Sequence, residues 1–372
     1  MFRQNYATVS LKALRQNYKI LQQSLDKNIK IIPVVKADAY GHGLIPIVET
    51  LINEGAKFFA VALIEEGITL RKNGIDNEID ILVMGINPLD KIVLKEAINN
   101  NLTLTICSNE MLKTIEEVAK DCNKKAYVHI KLDTGMNRIG INTLEEVKSV
   151  ASTLLSIKNV IATGVYTHIA DGDGETRDSK EFTKKQWQLF EKWSAYFPES
   201  LSRHVANSAC VIGGMHTPLS YARIGISLYG YPPLATNLQL TPILTWKAQI
   251  VWIHFVNAGE SVGYARSYIA KEQRKIATVC VGYGDGYSRL LSNKGYMLLH
   301  GQKVPIVGRV CMDQTLIDIT DIKQAEIGDM VTLIGSDKNE SITAETIANL
   351  TDTISYEVLL NISKRVPKRY LD

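Results

Sequence analysis

IIPVVKADAYGHG, residues 31–43, runs four β-prone apolar side chains and a proline into Lys36, then into a small polar turn that ends on two glycines. A short, continuously apolar run bounded by turn residues reads as a strand buried on both faces, the kind found in parallel sheets. A lysine closing such a strand must snorkel to water, find an anion, or give up its charge for chemistry. Which of these applies depends on what lies at the ends of the other strands.

Working outward, similar runs recur: FFAVAL, IDILVMG, LTLTIC, AYVHIKLD, VIATGVYTHIA, RHVANS and ARIGISLYG complete a set of eight strands between residues 29 and 230. Between them, PLDKIVLKEAINNN, NEMLKTIEEVAKDC, TLEEVKSVASTLLS and SKEFTKKQWQLFEKWSAYF carry apolar residues at three and four spacing, the period of helices. Eight alternating units predict an α/β fold with an N-terminal (β/α)8 TIM-like barrel over residues 1–240. An open doubly wound sheet has the same strand count and stays as the alternative. From 241 to 372 the texture changes to strands joined by turns, WKAQIVWIHFV, KIATVCVGYG, YMLLHGQKVPIVGRV, QTLIDI and DMVTLIG, with one helix near TAETIANL. This predicts a C-terminal mainly-β domain, with the first ten or so residues available to pack on it. The start of the chain reads as an amphipathic helix through Leu11, Leu14, Tyr18, Leu21 and Leu25, with Ser10 as its N-cap.

Composition narrows the function classes. The 372 residues are 45% hydrophobic and 22% charged, and 42 basic against 39 acidic residues leave a net charge of +3, too small for a nucleic-acid footprint. The five cysteines are scattered and never in a C-x-x-C spacing, which argues against a disulfide framework or a zinc site and predicts no metal centre. The N-terminus lacks the apolar core of a signal peptide, and ILTWKAQIVWIHFV is interrupted by Lys247, Gln249 and His254, so a soluble, cytoplasmic protein is expected.

Active sites of α/β barrels lie at the C-terminal ends of the strands. There this chain places Lys36, Arg138 in KLDTGMNRIG, His168 in YTHIA, Asn207 and Ser208 in HVANSA, and Arg223 in ARIGIS. Singly, each is also explained by a solvated barrel rim; together they suggest one polar site. The strings VVKADAYGHG, DTGMNRIG, THIA, HVANSA, RIGISLYG, VGYARSY, GYGDGYSR, GRVCMDQ and SYEVL follow in series along nearly the whole chain, and in them the sequence resembles the alanine racemases, which use pyridoxal 5'-phosphate.

That resemblance implies the following assignments. Lys36 would bind the cofactor as a Schiff base and, once displaced, act as one proton base, which requires a lowered pKa. Tyr264 would be the second base, supplied by the other subunit of a head-to-tail homodimer with shared active sites, with His168 and Arg223 in a hydrogen-bond network beside it. Arg223 would face the pyridine nitrogen where many related cofactor enzymes use an aspartate; a guanidinium only donates, so the ring nitrogen stays unprotonated. Tyr40, Asn207, Ser208, Gly225, Ile226 and Tyr356 would hold the cofactor, chiefly its phosphate. Arg138 and the backbone of Met312 would hold the substrate carboxylate, Tyr283 and Tyr356 would narrow the pocket to suit L- and D-alanine, and D-alanine would supply peptidoglycan. Lys131 falls where some members carry a carbamylated lysine. The chain departs from the usual wording at Asn137, where glycine is commoner, and at Gly284, where alanine is commoner.

Two other classes fit less well. A decarboxylase needs a site that strips the carboxylate of partners, which Arg138 opposes. A barrel that binds the cofactor only for homeostasis lacks the C-terminal domain that carries Tyr264.

Overall fold

A computed structural model describes residues 3–86, 89–215 and 219–372. The chain divides into two compact units, one of Leu14–Ala39 and Leu44–Thr241, the other of Met1–Ala13, Tyr40–Gly43 and Pro242–Asp372. Strand β1 (Asn5–Ser10) belongs to the second. The first unit holds β2 (Lys30–Pro33), β3 (Phe58–Val61), β4 (Asp80–Val83), β5 (Thr103–Ile106), β6 (Ala126–Lys131), β7 (Val160–Tyr166), β8 (Ser202–His204) and β9 (Tyr221–Ile224).

Strands β3 to β8 form one parallel sheet in chain order, and β2 pairs in parallel with β9. The two pieces join at both seams. Val35 N donates to Ala60 O at 2.9 Å beyond β2, while Ser220 N donates to Arg203 O and Arg223 N to Ala206 O, each at 2.9 Å, between β8 and β9. The eight strands therefore close into a barrel, and the open-sheet alternative falls away. Closure covers both faces of each strand, which is why these runs are nearly unbroken in apolar residues. The buried polar side chains on these strands include Thr103 and Thr105 on β5, His129 and Lys131 on β6, His204 on β8 and Arg223 on β9. The predicted helices form at Lys91–Asn99, Asn109–Asp121, Leu144–Ser156 and Arg177–Ser194, capped by Asp90, Ser108, Thr143 and Thr176, whose side-chain oxygens accept backbone N–H groups of the first turn.

In the second unit, β10 (Leu244–Val256) is the central strand. It pairs antiparallel with β1 and with strands Arg274–Val279 and Met330–Asp337. The sequence reading named no strand before the Ser10 cap, but Asn5–Ser10 is a strand that also pairs in parallel with Lys368–Leu371. Its burial alternates, with Asn5, Ala7 and Val9 inward, and Asn5 Oδ1 accepts from Trp246 Nε1 at 2.7 Å. A six-residue period-2 pattern was masked by the longer helical pattern beside it. Ser10 does cap that helix, Leu11–Ser24, accepting from Ala13 N at 3.1 Å. No helix among the described residues is long and apolar enough to cross a membrane.

Candidate active site

Beyond β2 the backbone does something unusual. Ala37, Asp38, Ala39 and Tyr40 all have φ of 53–54°, followed by Gly41 at 79°, a left-handed turn that starts immediately after Lys36. Left-handed helical geometry costs L-residues roughly 1–2 kcal/mol each, so specific contacts must hold it. Ala37 N donates to Glu66 Oε1 at 2.5 Å, Ala39 N to Val35 O at 2.9 Å, and the Asp38 carboxylate accepts from Leu44 N at 2.8 Å. The other oxygen of Glu66 accepts from Ala62 N and Leu63 N, capping the helix Ile64–Lys72. Glu66 thus ties the Lys36 turn to the neighbouring βα loop, a role the sequence did not signal because the cap residue before it is a leucine.

A cavity of about 340 Å³ opens beside Lys36, lined also by Lys131, Arg138, Tyr166, His168 and Arg223. Arg223 is its most constrained member. NH1 donates to His204 O at 2.8 Å and to His204 Nδ1 at 2.9 Å; NH2 donates to Thr167 O at 2.7 Å and Val205 O at 3.1 Å, and lies 3.3 Å from His168 Nδ1. Among the described residues no acceptor meets its Nε–H. The guanidinium is 3% exposed and has no carboxylate partner among the described residues, so strand-end carbonyls and a neutral imidazole carry the burden of a buried cation. Burial lowers its pKa to about 10, which still leaves it charged near neutral pH.

This cation sets the histidines. Burial first, then Arg223, holds His168 and His204 well below the usual imidazole range and brings His129 to about 3. Neutral His204 accepts at Nδ1, so its Nε2 carries the proton and donates to His129 Nδ1 at 2.8 Å. His168 Nδ1 faces the same guanidinium at 3.3 Å, and a cation there favours a lone pair on Nδ1 and the proton on Nε2. His129, His204 and Tyr166, which stacks on His204 at 4.7 Å, were not singled out from the sequence. Only closure of the barrel shows that alternate residues of β6 and β7 share an interior with Arg223.

Arg138 follows β6 on the DTGMNR turn. Asp133, 6% exposed, organises that turn by accepting from Gly135 N and Asn137 N at 3.0 Å and from Arg138 N at 3.1 Å. Asn137 has φ of 55°, a conformation that glycine adopts freely and asparagine tolerates better than other side chains, which accounts for this departure from the family wording. Lys131 Nζ donates to Leu132 O at 2.9 Å, and burial, then Arg223, brings its pKa to about 8.

The predicted cofactor-holding residues of this unit also converge. Ser208 Oγ accepts from Gly225 N at 3.1 Å, where the 3-10 turn Ile226–Tyr229 begins, and Asn207 caps the short helix Ser208–Ile212 through Cys210 N. In the second unit, the rings of Tyr40 and Tyr356 lie 6.0 Å apart; Tyr356 sits on helix Ser355–Leu360, which the strand-rich pattern did not predict. Tyr264 is 68% exposed on a 3-10 turn in which Ala265 and Arg266 have φ of 58° and 49°. The Tyr283 segment packs against the Met312 loop, with Tyr283 N donating to Cys311 O at 3.0 Å and Gly284 N to Met312 O at 2.8 Å.

Burial, then the Arg138 cation, lowers the Lys36 pKa, while Glu66 opposes the shift. In cofactor-free protein carrying 13C-methylated lysines, two resonances should titrate below the others, that of Lys131 near pH 8. Removing a nearby cation makes the ammonium form of Lys36 less unfavourable, so Arg138→Leu should move its midpoint upward. An unmoved midpoint would show that Arg138 does not act on Lys36.

The cavity fits pyridoxal 5'-phosphate on its own chemistry. It combines an amine of lowered basicity at Lys36, the basic side chains of Lys131 and Arg138, which suit a polyanion, and the buried Arg223 guanidinium, whose one unmatched donor suits a ring nitrogen.

The comparisons agree. The family description "Alanine racemase, N-terminal domain" matches residues 9–233 and "Alanine racemase, C-terminal domain" residues 243–370. An alanine racemase of Halothermothrix orenii is 40% identical over 375 residues, covering 99% of this chain and 97% of its own. The crystal structure of alanine racemase from E. faecalis superposes with a TM-score of 0.93 at 32% identity, over 99% of this chain and 98% of that one. That from Bartonella henselae, with covalently bound pyridoxal phosphate, has a TM-score of 0.89 at 29% identity, over 99% of each. The barrel, its site and these relatives together establish that this chain belongs to the alanine racemases, the pyridoxal 5'-phosphate-dependent isomerases of alanine.

Proposed function

We propose that the chain interconverts L-alanine and D-alanine by a two-base mechanism in a cytoplasmic head-to-tail homodimer, supplying D-alanine for peptidoglycan. Pyridoxal 5'-phosphate, when bound, draws electron density from the α-carbon and so acidifies its hydrogen. Lys36, as a neutral amine, takes or returns a proton at that carbon on one face. Tyr264 of the partner subunit does so on the other. The neutral His168, with its Nε2–H, and the charged Arg223 behind it are suited to stabilising a phenolate there. Arg223 would meet the ring nitrogen with Nε–H and cannot accept a hydrogen bond from it. Ser208, Gly225 and Ile226, with Asn207, Tyr40 and Tyr356, would hold the phosphate end. Arg138 and the backbone of Met312 of the partner subunit would hold the substrate carboxylate, and Tyr283 of the partner subunit with Tyr356 would limit the side chain to about a methyl group.

The observation that carries this reading is the buried Arg223, four of whose N–H groups are matched by protein acceptors, lining the same cavity as the Lys36 amine. Exposed Trp252 and Phe255 on β10 and the 68% exposed Tyr264 support a second copy as the covering surface. The test is incubation of the protein and its cofactor with L-alanine in deuterated water. Optical rotation should be lost with α-deuterium in both enantiomers. Exchange without inversion would eliminate the second base, and carbon dioxide release without D-alanine would replace racemisation by decarboxylation.

A further inference from the structure

The motif GYGDGY, residues 282–287, places glycine at every second position. A Cβ on Gly282 would lie 2.3 Å from Cys311 O, and one on Gly286 would lie 1.8 Å from Asn361 O, so backbone packing forces both. Gly284 is different. Its Cβ would fall 2.4 Å from Arg365 NH1 and 3.0 Å from Met312 O, so what chiefly occupies the space is the end of a flexible side chain.

From there Arg365 donates through NH2 to Asp313 Oδ1 at 2.7 Å, and its Nε lies 3.6 Å from Asp285 Oδ1. Asp285 is fully buried. It accepts from Arg3 NH1 and NH2 at 2.7 and 2.6 Å and from Gly282 N at 3.0 Å. Arg3 NH2 also reaches Asp313 O at 3.1 Å. Ser363 completes the link, its N–H on Asp285 O at 2.9 Å and its hydroxyl on Gly284 O at 3.2 Å. Two arginines and a buried aspartate therefore fasten the Tyr283 turn to the Met312–Asp313 loop.

We infer that Arg365, in the space left by Gly284, is a positioning residue that holds the Met312 loop against the Tyr283 turn and thereby sets the affinity for the amino-acid substrate. This rests on the proposed roles of Met312 and Tyr283 at the substrate. An alanine at position 284 would push the guanidinium away from Asp313, so the glycine and the arginine work as a pair.

Arg365→Met should raise KM for L-alanine about three- to tenfold with kcat within about twofold, the split expected when ground-state and transition-state binding weaken together. Arg365→Lys should restore part of the loss. Gly284→Ala should raise KM similarly, and the double variant should match Arg365→Met within about twofold, because both changes remove one contact. Amide hydrogen exchange across residues 309–316 should quicken in Arg365→Met, in Gly284→Ala and in the double variant, a readout independent of turnover. Unchanged KM in Arg365→Met, or effects of the two substitutions that multiply, would overturn the inference while the unsubstituted protein still racemises alanine. An unsubstituted protein that racemises no alanine would overturn the underlying reading and the inference with it.

Discussion

Lys36→Ala should lower kcat for alanine racemisation by about four orders of magnitude, the upper range for losing a positioned acid–base group that also anchors the cofactor. Lys36 lies where the barrel's first strand passes into a left-handed turn, beside a cavity it shares with Lys131, Arg138 and Arg223. Burial and the Arg138 cation lower its pKa, so more of it is neutral near pH 7 than in an exposed lysine. Lys36→Arg should be equally inactive, since a guanidinium keeps the positive charge but stays protonated. Added methylamine should partly rescue Lys36→Ala and leave Lys36→Arg silent, because only the former leaves room for a small amine. Appreciable D-alanine formation by Lys36→Ala without added amine would refute the assignment.

Tyr264→Phe removes one oxygen from an exposed turn and should cost about two to four orders of magnitude in racemisation while leaving melting unchanged. The informative measurement is α-hydrogen exchange in deuterated water, run separately on each enantiomer. One should still exchange, identifying the face served by Lys36, and the other should not. Equal loss from both would mean that Tyr264 shapes the site without acting as a base. Coexpression of Lys36→Ala with Tyr264→Phe provides a further test. Random pairing makes half the dimers mixed, each with one intact site, so about a quarter of the normal activity should return. No recovery in purified mixed dimers would place Lys36 and Tyr264 of the same chain in one site.

The sequence alone determined the alternation of strands and helices, the change of texture near residue 240, and the placing of Lys36, Arg138, His168, Asn207, Ser208 and Arg223 at or just beyond strand ends. These are readable because apolar periodicity and strand-end position are local properties. It even marked Ser10 as a helix cap. It did not show strand Asn5–Ser10, whose partners lie more than 200 residues away on β10 and near the C-terminus. Nor did it distinguish a closed barrel from an open sheet, since closure rests on the pairing of β2 with β9, the first and last strands of the barrel unit. Tertiary structure alone decided that His129 and His204 stand behind Arg223, that Glu66 holds the Lys36 turn, and that Arg365 occupies the space beside Gly284. The physical reason is common to all of these: a side chain's pKa, hydrogen-bonding role and available space depend on neighbours brought close by folding, which sequence spacing does not encode.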